Sequence, residues 1–137
     1  MKNYRFYIGI DTGKNTGFAI WDKSEKKFLE ISSVLIHQAF EKILSFDKSD
    51  CFIRVEDARK RKWFGSDAKL KQQGAGSIKR DATIWENFLT DKGYDFEMVA
   101  PQNNKTKLTS ETFKAMTKWD KSTNNHARDA AMMVLNY

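Results

Sequence analysis

The spacing of hydrophobic and polar positions changes several times along this 137-residue chain, and each change marks an element. Residues 4–10 alternate, with Tyr4, Phe6, Ile8 and Ile10 on one face, which predicts a strand. Thr12-Gly13-Lys14-Asn15-Thr16-Gly17 is turn chemistry, and Phe18-Ala19-Ile20-Trp21 predicts a second strand. The polar stretch from Asp22 to Lys27 turns the chain again, and residues 28–36 supply a third strand, so the chain opens as an antiparallel meander. Ala39, Phe40, Ile43 and Leu44 then fall at helical spacing within 37–46, with His37 at the helix start. Cys51–Val55 reads as a fourth strand. Gly74-Ala75-Gly76 precedes a helix over 77–91 whose stripe is Ile78, Ala82, Ile84, Trp85, Phe88 and Leu89. Phe96–Ala100 predicts a fifth strand, stopped by Pro101. A short helix is expected over 109–118, and a last one from Asn125, capped by Asn124. The order βββαβαβαα predicts one α/β domain with a five-stranded mixed sheet flanked by helices.

Composition narrows the class. Apolar residues make up 40% of the chain, enough for a core at this length. No run approaches the ~20 apolar residues of a membrane span. No signal-peptide h-region precedes the first strand, so a cytoplasmic protein is expected. The single Cys51 lies in an apolar run and reads as a buried thiol in a reducing compartment.

Charge changes the picture more. The chain carries 24 Lys and Arg against 18 Asp and Glu, a net of +6. Residues 57–80 hold Arg59, Lys60, Arg61, Lys62, Lys69, Lys71, Lys79 and Arg80 against only Asp57 and Asp67. The whole excess therefore sits in one segment, and the rest of the chain is balanced. Concentrated in this way, it predicts contact with a polyanion. Trp63 and Phe64 within the segment argue against a merely solvated loop.

The candidate chemistry lies where core elements end. Asp11 closes the first strand, Glu56 closes the fourth, and Asp129 lies in the apolar last helix, three residues after His126. A carboxylate beside a core element is costly to desolvate unless something compensates it. Three on separate elements suggest a divalent cation, and a ligand set of mostly hard oxygen suits Mg²⁺ or Mn²⁺. Each residue also has a plainer use: Asp11 to start a turn, Glu56 to pair with Arg54 or Arg59, and His126 and Asp129 as an ordinary first helical turn. Asp57 competes with Glu56, because successive strand residues point to opposite faces.

Taken together, Ile8-Gly9-Ile10-Asp11-Thr12-Gly13 with Thr16-Gly17, Val55-Glu56, and His126-Ala127-Arg128-Asp129-Ala130-Ala131 resemble the RuvC-type Holliday junction resolvases of the ribonuclease H-like superfamily. The resemblance covers nearly the whole chain in element order, and the short length is similar to phage- or virus-encoded members. It implies a metal-dependent endonuclease that resolves branched DNA as a homodimer. It assigns Asp11, Glu56, Asp129 and His126 to catalysis and metal binding, two ions being the implied number. His126 would bind the second ion or transfer a proton. Arg59, Lys60, Arg61, Lys62, Lys69 and Lys71 would meet DNA, with Trp63 or Phe64 as a branch-point wedge. Lys105 and Lys107 resemble the family's basic residues near the scissile phosphate. Other expectations from the same residues are an RNA or RNA–DNA hybrid nuclease of this superfamily, or a non-catalytic binding module.

Overall fold

A computed structural model describes residues 3–60, 76–101 and 109–137. Strand β1 (Phe6–Asp11) pairs antiparallel with β2 (Asn15–Asp22), which pairs antiparallel with β3 (Lys27–Leu35). Helix α1 (Ile36–Leu44) leads to β4 (Cys51–Glu56), which returns beside β1 in parallel. A single 3₁₀ turn, Ala58–Lys60, follows β4 directly and was not legible in the sequence. Helix α2 (Gly76–Lys92) precedes β5 (Asp95–Val99), parallel to β4, and the chain closes with α3 (Ser110–Thr117) and α4 (Asn125–Met132). The five-stranded sheet has the order β3-β2-β1-β4-β5, and it is open and mixed, as the element order predicts. No helix among the described residues is long and apolar enough to cross a membrane.

Strand alternation divides the core in two. Ile8 and Ile10 of β1, Phe18 and Ile20 of β2, and Ile53 and Val55 of β4 pack on one face with Ala39 and Ile43 of α1 and Trp85 and Leu89 of α2. Ala19 and Trp21 of β2 and Phe28 and Ile31 of β3 pack on the other, against Phe113 of α3 and Ala127, Ala130, Ala131 and Val134 from α4 onward. Cys51 is buried in the first cluster, where desolvation and the nearby Asp50, Asp47 and Asp95 push its thiol up to about 12. Two sequence expectations are corrected. Tyr4 precedes β1 and sets its ring beside Tyr7 and Phe52, leaving only Phe6, Ile8 and Ile10 on the first face. Ile84 is not part of the buried stripe of α2 but is 40% exposed, because Ala82, Trp85 and Leu89 already fill the sheet-facing side.

Helix α4 packs very closely on the sheet. A Cβ at Gly9 would lie 2.1 Å from the carbonyl oxygen of Ala130, and one at Gly17 would lie 2.0 Å from that of His126. Backbone therefore rests on backbone at two points one helical turn apart, and only glycine leaves the room. The side chain of Asn124 caps the helix by accepting from the Ala127 amide at 2.9 Å. At the other end Arg54 of β4 donates to the carbonyl of Met133, ion-pairs with Glu97, and places its guanidinium 4.7 Å from the Tyr137 ring centroid. A cation donating to a helix's last carbonyls also complements its dipole.

Gly17→Ala should lower the melting temperature by several degrees, for a loss of about 1–3 kcal/mol through overpacking. Gly76→Ala is the control, since nothing lies within 4 Å of the added methyl. Thermal unfolding followed by circular dichroism separates the two. Equal melting temperatures would show that α4 can lift off the sheet at no cost.

Candidate functional site

The parallel pairing of β1 and β4 decides which acids meet. The register runs Phe6↔Cys51 to Ile10↔Val55, so the next residues on the two strands, Asp11 and Glu56, stand at neighbouring ends. Adjacent strands are ~4.8 Å apart. Parity sends both residues to the same side of the sheet, because their strand neighbours Ile10 and Val55 are buried on the α1–α2 side. Glu56 and Asp11 thus share the α4 face, while Asp57 falls on the opposite one.

Helix α4 reaches this edge with its first turn. Its contact over Gly17, the partner of Asp11 across β1 and β2, brings His126 Nδ1 to 3.1 Å from Asp11 Oδ2. The Asp11 side chain is 11% exposed and that of His126 is 53% exposed, so the pair lies at the wall of the molecule with the imidazole turned toward solvent. Asp129 follows one turn later on α4 and is exposed. The β1–β2 turn borders the same edge. The Thr12 hydroxyl donates to the carbonyl of Glu56 at 3.4 Å, and the Thr16 hydroxyl donates to that of Gly13 at 2.8 Å.

Asp57 is occupied elsewhere. It is 1% exposed and receives Arg59 through the amide and Nε from one side and Nη2 from the other, at 2.8–2.9 Å. Burial raises its pKa, yet the Arg59 hydrogen bonds outweigh that and hold the carboxyl below its ordinary value. The same guanidinium also pairs with Glu86 of α2 at 2.9 Å. Asp57 is thus engaged within the protein, and Arg59 has a structural task. Arg59 anchors the chain after β4 to α2, and Lys60 Nζ donates to the Met98 carbonyl at 2.7 Å. The two basic residues expected to meet DNA that fall within the described residues are therefore both bound to the protein itself. Arg61, Lys62, Trp63, Phe64, Lys69, Lys71, Lys105 and Lys107 lie outside the described residues. The expected pairing of Glu56 with Arg54 or Arg59 is not what the two arginines do: Arg54 pairs with Glu97, and Arg59 with Asp57 and Glu86.

As a donor set, three carboxylates and one imidazole suit a hard divalent cation in chemistry. As placed, Asp11 and His126 form a pair. Among the described residues no group of three or more His, Cys, Asp or Glu side chains stands close enough to hold an ion. The backbone brings the ends of β1 and β4 and the first turn of α4 to one edge. No protein-family model, curated protein or solved structure matches the chain. What the site can do therefore rests on its own residues.

Asp57→Asn should cost about 1–3 kcal/mol by leaving the Arg59 cluster half satisfied. Because the Asp57 carboxyl is more acidic folded than unfolded, its stabilisation is complete above the ordinary carboxylate value near ~4 and is lost as pH falls below it. Unfolding measured from pH 7 to pH 2 should show a smaller acid loss in Asp57→Asn than in wild type. An equal acid slope would remove Asp57 from the stabilising ion cluster.

Proposed function

We propose that this chain is a divalent-metal-dependent endonuclease of the RuvC type, within the ribonuclease H-like fold, that cuts branched DNA as a homodimer. The observation that carries the reading is the meeting of Asp11, at the end of β1, with His126, in the first turn of α4, beside the parallel strand end that bears Glu56. Three elements distant in sequence contribute acid or imidazole to one edge, and a site for structure alone has no need of that. The strand order, with three antiparallel strands and two parallel ones beside β1, is also what the resemblance implies.

Asp11, Glu56 and Asp129 would hold Mg²⁺ or Mn²⁺, with His126 beside them as the base. Such an ion would supply charge neutralisation at the phosphodiester and lower the pKa of a water molecule. The protein's own contribution follows from the dyad. In the tautomer whose Nδ1–H donates to the Asp11 carboxylate, His126 keeps the Nε2 lone pair free to accept a proton from a water. That water's oxygen forms the new bond to phosphorus as the bond to the 3′ oxygen breaks, and the leaving oxygen takes up a proton to become a hydroxyl. Asp11 fixes the ring's orientation, as an acid does for a histidine base. Paired cuts in a two-fold symmetric junction need two such sites, which is the argument for a homodimer.

The test uses labelled four-way junction, linear duplex and RNA–DNA hybrid with Mg²⁺ or Mn²⁺. Wild type should nick the junction in symmetric pairs, and Asp129→Asn and Asp11→Asn should lose at least about a hundredfold while still binding it. Mn²⁺ should also raise the wild-type melting temperature but not that of Asp11→Asn, with about 2.7 kcal/mol expected at a hundredfold excess over its dissociation constant. Cutting of the hybrid alone would make the chain a ribonuclease. Junction binding with no cutting and no Mn²⁺ stabilisation would make it a binding module.

A further inference from the structure

An acidic catalytic edge repels the polyanion it is meant to cut, so a fixed cation must stand nearby. Arg59 and Lys60 do not serve, being held by Asp57, Glu86 and the Met98 carbonyl. We propose that Lys14, in the β1–β2 turn, is a phosphate-binding residue of this site, contacting the nucleic-acid backbone beside the bond to be cut. This rests on the nuclease reading and adds a residue that neither the motif resemblance nor the basic segment singles out.

Position is the first argument. Lys14 stands three residues after Asp11, and the turn that carries it begins where β1 ends and closes where β2 begins at Asn15. The register Asp11↔Gly17 makes this turn the direct extension of the strand pair beneath His126. The turn thus borders the edge that carries Asp11 and the exposed imidazole.

Rigidity is the second. A lysine on a loose loop loses much of its binding energy to ordering. Here the hydroxyl of Thr12 ties the turn to the end of β4, and the hydroxyl of Thr16, itself fully buried, closes it onto the Gly13 carbonyl. The backbone on either side of Lys14 is thus held by side chains, while Lys14 and Asn15 are exposed.

Engagement is the third. Among the described residues many cations have tasks within the protein. Arg5 pairs with Asp22, Lys42 with Glu30 and Arg54 with Glu97, Arg128 donates to Thr123, and Lys23 and Lys121 lie over aromatic rings. No acid within ion-pair distance of Lys14 occurs among the described residues. An exposed ammonium on the turn that follows Asp11 is suited to a phosphate oxygen as a mobile point charge.

The experiment measures binding of a labelled four-way junction in EDTA, where no cutting occurs, across a series of salt concentrations, for wild type, Lys14→Ala, Lys14→Arg and Lys27→Ala. Lys27 opens β3 opposite Asp22, at the far end of β2, and serves as the surface-charge control. Lys14→Ala should weaken binding about three- to tenfold near physiological salt and reduce the slope of log affinity against log salt by about one. Lys14→Arg should restore both, Lys27→Ala should change neither, and all four should melt alike. A Lys14→Ala slope equal to wild type, or a Lys27→Ala loss of the same size, overturns the proposal. Wild type that binds junctions but cuts nothing with Mg²⁺ or Mn²⁺ overturns the nuclease reading and leaves the Lys14 result standing by itself. Wild type that binds no nucleic acid overturns both.

Discussion

The contact on which the rest of this structure depends is made by main chain alone. Helix α4 rests on β1 and β2 where Gly9 and Gly17 leave no side chain between the carbonyls of Ala130 and His126 and the sheet. Without that approach His126 could not come within hydrogen-bonding distance of Asp11, since their distance follows from helix height above the sheet. The helix is small-faced for the same reason, with Ala127, Ala130 and Ala131 buried. Interiors are packed at crystal-like density, so a single methyl at either glycine has no slack to enter. Fixed by the Asn124 cap at one end and Arg54 at the other, α4 has little freedom to slide.

Around this contact the sheet works as a partition. One step along β4, from Glu56 to Asp57, moves an acid from the α4 face to the α2 face. On one side the acid joins a solvent-accessible edge with Asp11. On the other it is sealed against Arg59 and Glu86, where it fastens the chain after β4 to α2. Two adjacent carboxylates thus have different chemistry, and the alternation of the strand is the cause. The aromatic rings follow the same partition, with Phe40, Trp85 and Phe88 between α1 and α2, and Trp21 and Phe28 beneath the other helices.

Much of this was legible in the sequence, because the elements obey their periods. Four of the five strands and the four helices lie within two residues of the positions that alternation and helical spacing predict, while β2 begins at Asn15, three residues inside the expected turn, and Asn124 caps α4 as its side chain suggests. The lone Cys51 is buried, as an apolar run implies. The parallel return of β4 beside β1 was implied by the family resemblance and not by the order of elements alone. The choice between Glu56 and Asp57 was open on the residues alone, since it turns on which strand residue is last, and one position reverses the face. The commitment of Arg59 and Lys60 was not legible either. A basic run looks the same whether its members point to solvent or return to the protein, and their partners Glu86 and Met98 lie 27 and 38 residues away. Gly9 and Gly17 belonged to a recognisable motif, but their reason for being glycine lies in a helix more than a hundred residues later.

That separation has a further meaning for how the molecule comes into being. Asp11 and His126 are 115 residues apart in the chain, so their contact is among the most non-local the fold contains. Contacts of this kind must await closure of a long loop and form late, after the local meander and the β4–β5 crossovers can already exist. During synthesis the first strand leaves the ribosome long before the last helix, and chains fold from the N-terminus as they appear. A growing chain therefore carries Asp11 and Glu56 at paired strand ends before the histidine that meets Asp11 has been translated. Whatever chemistry the edge performs, the strand ends alone do not supply it, and docking of α4 is what brings the imidazole to them.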